Sequence, residues 1–136
     1  MGQQQLLLIV LGVIIVGIAI VVGINLFNAN AEESAKDTLV SEGTNLGAMA
    51  QQFYKKPVAL GGGGNAFNTS NGAPASFSVP TNLTTSSVGP GTWAATPAAQ
   101  SCSIVFTPAS ANWPYSSITN CTVTVTATSI SSRING

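Results

Sequence analysis

Twenty-two consecutive residues, Leu6 to Phe27, include only four that are neither strongly apolar nor alanine: Gly12, Gly17, Gly23 and Asn25. No charged side chain occurs from Met1 to Ala31. As a helix rising 1.5 Å per residue the run is about 33 Å long, enough to cross the ~30 Å hydrocarbon core of a bilayer. A chain of this size cannot hide such a rod inside its own core, so lipid or other protein must cover it. Ala29-Asn30-Ala31 has the look of a signal-peptidase site. However, no Lys or Arg precedes Leu6, and the run exceeds the ~7–15 residues of a secretory apolar region. The segment is therefore expected to be retained.

Charge is scarce and unevenly placed. Of 136 residues only 6% are charged, against roughly 25% in an ordinary soluble domain. Seven of the eight charges, Glu32, Glu33, Lys36, Asp37, Glu42, Lys55 and Lys56, fall in one stretch. From Pro57 to Ser132 there are 76 residues without any, 25 of them Ser or Thr, and all seven prolines. The chain has no histidine, so a Ser/His/Asp or Cys/His dyad and an imidazole metal ligand are both excluded. A net charge of zero removes the basic patch on which nucleic-acid affinity depends. We therefore expect no enzyme, no catalytic, cofactor or metal site, and no specific nucleic-acid partner. A structural, membrane or binding protein remains.

The composition divides the chain into an apolar segment 1–30, a charged segment 31–56 and a Ser/Thr-rich segment 57–136. Nothing from Gln3 to Lys56 interrupts a helix, whereas Pro57 removes an N–H and clashes with the preceding turn. Eleven Val and Ile residues between Ile9 and Ile24 lower helicity in water, but an apolar surround enforces internal backbone hydrogen bonding. Further on, Leu39, Leu46 and Phe53 recur every seven residues, with Ala35, Met49 and Ala50 near the same face. This is an amphipathic stripe.

After Pro57 the periodicity changes to two. Thr122, Thr124, Thr126 and Thr128 alternate with Val123, Val125 and Ala127, and Cys102, Ile104 and Phe106 alternate with Ser103 and Val105, as half-buried strands do. Shorter strands are expected at 76–79 and around 92–95. Gly61 to Gly64, Asn71-Gly72 and Gly89-Pro90-Gly91 read as turns and loops. Gly61–Gly64 lacks the Gly-Lys-Ser/Thr ending of a phosphate cradle. The expected fold class is α+β: a long N-terminal helix, apolar then amphipathic, packed on a small antiparallel sheet.

Cys102 and Cys121 both fall on the inward side of their strands. A disulfide between them would add about 3 kcal/mol to a marginal core in the chain-entropy model and imply an oxidising compartment. Two buried free thiols are the alternative.

An apolar N-terminal helix that becomes amphipathic to about residue 55 and leads into a small β domain with a cysteine pair resembles the type IV pilins. At residue level the resemblance is confined mainly to Met1–Pro57. It implies a ladle-shaped subunit, membrane-inserted before assembly, whose helices bundle into the core of an extracellular helical filament of identical subunits. With Met1 as the mature N-terminus, the fifth position is Gln5, where the family carries a Glu that neutralises a neighbour's terminus. Glutamine accepts a hydrogen bond from an ammonium group but brings no opposite charge.

On this reading Met1, Gln5, Leu8, Leu11, Ile15, Ile18, Val22 and Leu26 form the assembly surface. Gly12, Gly17 and Gly23 allow either close helix approach or, as the resemblance implies, local unwinding. Gly43 and Gly47 ease packing of strands on the helix. Asn68 and Asn82 head N-glycosylation patterns, as does Asn120, and Ser/Thr-linked glycans suit the uncharged surface. Loops 61–75 and 107–120, with Trp113 and Tyr115, are the expected contact regions for roles such as adhesion or motility. The alternatives are a single-pass membrane-anchored binding domain outside the cytoplasm and an archaeal-type pilus or flagellar-filament subunit.

Overall fold

The computed structural model describes residues 2–136. Met1, expected at the assembly surface, lies outside them. One unbroken helix, α1, spans Gly2–Lys55. The chain forms two compact units, one ending at Ser34 and the other beginning at Ala35. The first is helix alone. The buried side chains all belong to the second, from Ala35 to Val125.

In the second unit the face of α1 made by Ala35, Leu39, Gly43, Leu46, Gly47, Ala50 and Tyr54 is buried. Their steps of three and four residues follow the helical period. Phe53 and Met49, expected on this stripe, are only partly buried at its margin. Tyr54 takes the inward position, and its hydroxyl donates to Gln100 Oε1 at 3.0 Å. Of the small residues, Gly43 is the tightest: a Cβ there would lie 2.5 Å from Val123 Cγ2 and 3.0 Å from the Trp93 ring. The role expected for Gly43 and Gly47, admitting the sheet to the helix surface, agrees with this geometry.

The helix end is closed by the glycine run. Pro57 breaks the ladder, leaving the last carbonyls without helical donors. Gly63 N–H donates to Phe53 O at 2.8 Å, Asn65 N–H to Tyr54 O at 2.8 Å and Gly64 N–H to Lys56 O at 3.0 Å. This wrap brings backbone so close to backbone that a side chain at Gly63 would collide with the Ala66 carbonyl. The run is a packed C-terminal cap. Three short 3-10 turns follow, at Val58–Leu60, Thr69–Asn71 and Thr81–Leu83.

Four strands then form an antiparallel meander in chain order: β1 (Gly91–Pro97), β2 (Ser101–Pro108), β3 (Asn120–Thr126) and β4 (Ile130–Asn135). The inward face carries Trp93 from β1, Cys102, Ile104 and Phe106 from β2, and Cys121, Val123 and Val125 from β3, all buried. Trp93 pairs with Phe106 and Ile104 with Val123. The outward face is rich in hydroxyls. Thr96, Ser103, Thr124 and Ser131 stand in one register row across all four strands.

Two strand expectations are corrected. Residues 76–79 form no strand. Phe77 N–H bonds only to Phe67 O, and Phe77 and Val79 enter the core from extended coil. Conversely, β4 was not foreseen. Its inward positions are Ile130, Ser132 and Ile134, opposite Val125, Val123 and Cys121, so a serine interrupts the apolar alternation.

The disulfide is also corrected. Cys102 and Cys121 are free and buried. They sit on adjacent strands and the same face, but Cys102 pairs with Val125 and Cys121 with Phe106, a four-residue offset. At about 3.4 Å per residue that separates them by roughly 13 Å along the strands, whereas a disulfide needs Cα atoms about 4.4–6.8 Å apart. The argument for an oxidising compartment lapses with the bridge. Burial instead pushes the Cys102 thiol up to about 11 and raises that of Cys121 as well.

Candidate functional site

The first unit has no core of its own. An 18-residue window of its helix reaches a mean hydropathy of 3.3 with none of it buried, so α1 is long and apolar enough to cross a membrane. Every large apolar side chain from Leu6 to Phe27 is at least half exposed, from 52% at Ile14 to 73% at Phe27. At about 1.5–3 kcal/mol for each such side chain fully covered, seventeen of them represent several tens of kcal/mol available to lipid or neighbouring helices.

Of the expected assembly residues, Leu8, Leu11, Ile15, Ile18, Val22 and Leu26 all lie on this exposed rod, with Gln5 exposed one turn before them. Their spacing places them along one side of the helix. The opposite side, with Leu6, Val13, Ile20 and Ile24, is as apolar and as exposed. A helix apolar all round is suited to being surrounded rather than docked along one stripe.

Gly12, Gly17 and Gly23 have open space where a side chain would be. The helix continues through all three, so of the two roles open to them, close helix approach or local unwinding, the single chain shows no unwinding. They notch the rod without interrupting the helix.

The second unit carries one polar constellation that sequence reasoning missed. Glu42 of α1 turns its carboxylate into a hydrogen-bonded ring. Oε2 accepts from Ser86 Oγ at 2.6 Å and from Trp93 Nε1 at 3.3 Å, and Oε1 accepts from Ser87 Oγ at 2.6 Å and Ser87 N–H at 3.0 Å. Burial disfavours its charge, but the donors from Ser86, Ser87 and Trp93 outweigh that and hold the carboxyl below its ordinary value. A cavity of about 70 Å³ beside it is lined by Asn45, Leu46, Leu83, Thr85 and Trp93. It is a latch that pins the segment before β1 to the helix, too small for a ligand of drug size. The donors lie 44 to 51 residues from Glu42 in the chain, a range at which sequence spacing carries no signal.

Among the glycosylation candidates, Asn82 is exposed. Asn68 caps a 3-10 turn, its Oδ1 accepting from Ser70 N–H at 3.0 Å. Asn120 accepts from Asn135 Nδ2 at the end of the β3–β4 pair.

Of the two expected contact loops, 61–75 is partly consumed by the helix cap and by the buried Ala66, Phe67 and Ala73. Loop 107–120 retains a surface groove. Trp113 packs partly into the core, its ring 5.4 Å from Phe106.

Fold and site together define a class: an α+β chain with a helix-backed antiparallel meander and an exposed apolar helical segment able to anchor it in a membrane or between subunits. Comparisons with protein-family models, with curated proteins and with solved structures find no match.

Proposed function

We propose that this chain is the structural subunit of an extracellular type IV pilus-like helical filament, held in the membrane by its apolar helix before assembly and bundled through the same helix afterwards. The observation that carries the reading is the segment Leu6–Phe27, apolar around its whole circumference and exposed throughout. A membrane can cover it, and so can a sheath of identical helices. The transfer between the two keeps the apolar area out of water at every stage.

The amphipathic continuation of α1 supports the same reading, because one helix serves as both the assembly element and the backing of the sheet. The absence of a carboxylate at Gln5 means that subunit registration would rest on hydrogen bonding and packing at that position rather than on charge neutralisation. The pilin family and the homo-oligomeric partner rest on this pattern of residues.

The test is electron microscopy of sheared extracellular material, with mass spectrometry of the fibres. Smooth thin filaments containing this chain are expected. Recovery of the chain solely as detergent-solubilised monomer from the membrane fraction overturns assembly and selects the membrane-anchored alternative, which the same exposed helix supports.

A further inference from the structure

The β2–β3 connection carries a groove of about 270 Å³, and its lining includes Thr107, Ser110, Trp113, Tyr115, Ser116 and Thr119. We propose that this groove binds a neutral saccharide, and that it does so whether the chain is a filament subunit or a membrane-anchored monomer.

Three properties select that chemistry. The first is charge. No Asp, Glu, Lys, Arg or His lines the groove, and Pro57–Ser132 supplies none. An ionic ligand would lose its hydration without gaining a counter-charge. The second is the kind of polar group. Apart from the indole, every polar side chain in the lining is a hydroxyl. Hydroxyls both donate and accept, which matches a ligand whose own polar groups are hydroxyls and ring oxygens.

The third is the aromatic pair. Trp113 and Tyr115 meet edge to face at 5.5 Å and 77°. Trp113 is held from behind by Phe106 at 5.4 Å, and Gly89 leaves it room, since a Cβ there would lie 3.2 Å from its ring. The pair is thereby fixed before any ligand arrives, and Tyr115 stays partly exposed. The negative face of a π system attracts the polarised C–H groups of a sugar ring, and a rigid platform loses little entropy on binding.

Trp113 Nε1 adds a further sign. It is buried and has no hydrogen-bond partner among the described residues. An indole N–H can only donate, so an acceptor oxygen is the partner it lacks. The volume, just under the ~300 Å³ at which small-molecule pockets usually begin, suits a single sugar ring.

The test uses the purified full chain in detergent micelles. Saturation-transfer difference NMR is recorded with methyl glucoside, methyl galactoside, methyl mannoside and N-acetylglucosamine, each at millimolar concentration. Galacturonate serves as the anionic comparison. At least one neutral sugar is expected to give signals concentrated on its ring protons, with a concurrent change in tryptophan fluorescence. Tyr115→Ala also trims a side chain packed against the core, so its melting temperature falls, and the protein that remains folded is expected to bind tenfold or more weakly. Should Tyr115→Ala fail to fold, Ser116→Arg, at an exposed position, fills the groove instead and is expected to abolish the signal. The proposal is overturned if no neutral sugar binds, if galacturonate binds as well as the neutral sugars, or if a folded groove variant binds like the parent.

Discussion

Gly43 and Val123 approach so closely that the glycine's missing methyl group would fall 2.5 Å from Val123 Cγ2. Val123 cannot swing away, because a β-branched side chain has few χ1 alternatives and this one is fully buried. In Gly43→Ala the helix gains about 0.8–1 kcal/mol of propensity, while overpacking costs about 1–3 kcal/mol. Overpacking wins, and a lower melting temperature in detergent is expected. Gly12→Ala, with open space around it, should show no such loss. Equal melting of the two variants would contradict the close approach.

The separation of Cys102 from Cys121 predicts thiol behaviour. Native protein should leave both thiols unreactive toward a thiol-specific reagent at neutral pH, and denaturant should expose two per chain. Reducing agent should not change the melting temperature. The linkage sign follows from the raised thiol values: the folded state holds its protons longer than the unfolded chain. Stability is therefore intact below pH 9, the ordinary thiol value, and erodes as pH rises toward about 11, the value for Cys102. Denaturant titrations at stepped alkaline pH would reveal a flat response if the thiols were bridged.

The Glu42 latch has the opposite pH dependence. Its folded value lies below 4.5, so its contribution is complete above that pH and is lost as acidity carries the solution through the lowered value. Glu42→Ala leaves the Ser86, Ser87 and Trp93 donors without their acceptor. Because the carboxylate is partly solvated, a loss of about 1–2 kcal/mol is expected, toward the low end for charge-assisted bonds. Chemical denaturation of the variant should also lack the acid-side step expected of the parent. A variant that retains that step would remove Glu42 as its source.

Changes to the apolar rod should separate anchoring from folding. A chain beginning at Asn28 keeps every buried residue, and is expected to be soluble, monomeric and as strongly folded by near-ultraviolet circular dichroism. Ile15→Asp in the full chain places a charge among apolar neighbours, at about 2.5–3.5 kcal/mol at the centre of a bilayer-spanning helix. Its share in the membrane fraction and in sheared fibres should both fall. Normal fibre yield from Ile15→Asp would show that this turn of the helix is not covered in the assembly.

How much of this was legible depended on the range of the interaction. The end of α1 could be read from Pro57, and β2 and β3 from their strict alternation, because both signals are local. The buried stripe was readable to within one position: the period selected Phe53, while the packing of Tyr54 against Phe67, ring to ring at 4.8 Å, turned the tyrosine inward. Ile130–Asn135 was hidden by Ser132, and 76–79 mimicked a strand without finding a partner. The cysteine offset depends on register, which the β2–β3 connection sets and residue spacing does not reveal. Glu42 looked like one more solvated charge because its partners arrive from a distant loop. The exposed apolar helix needed no tertiary information at all.

The row Thr96, Ser103, Thr124 and Ser131, on a face whose single charge is Arg133, has a consequence for the medium around the protein. Salt acts on protein surfaces chiefly by screening charges, over about 8 Å at physiological ionic strength. A sheet hydrated through hydroxyls offers it almost nothing to screen. Fresh water, brine and moderate swings of acidity should therefore leave the outer face equally wetted. Excluded solutes such as sulfate, which act on any exposed surface by competing for water, are the agents expected to drive these molecules together.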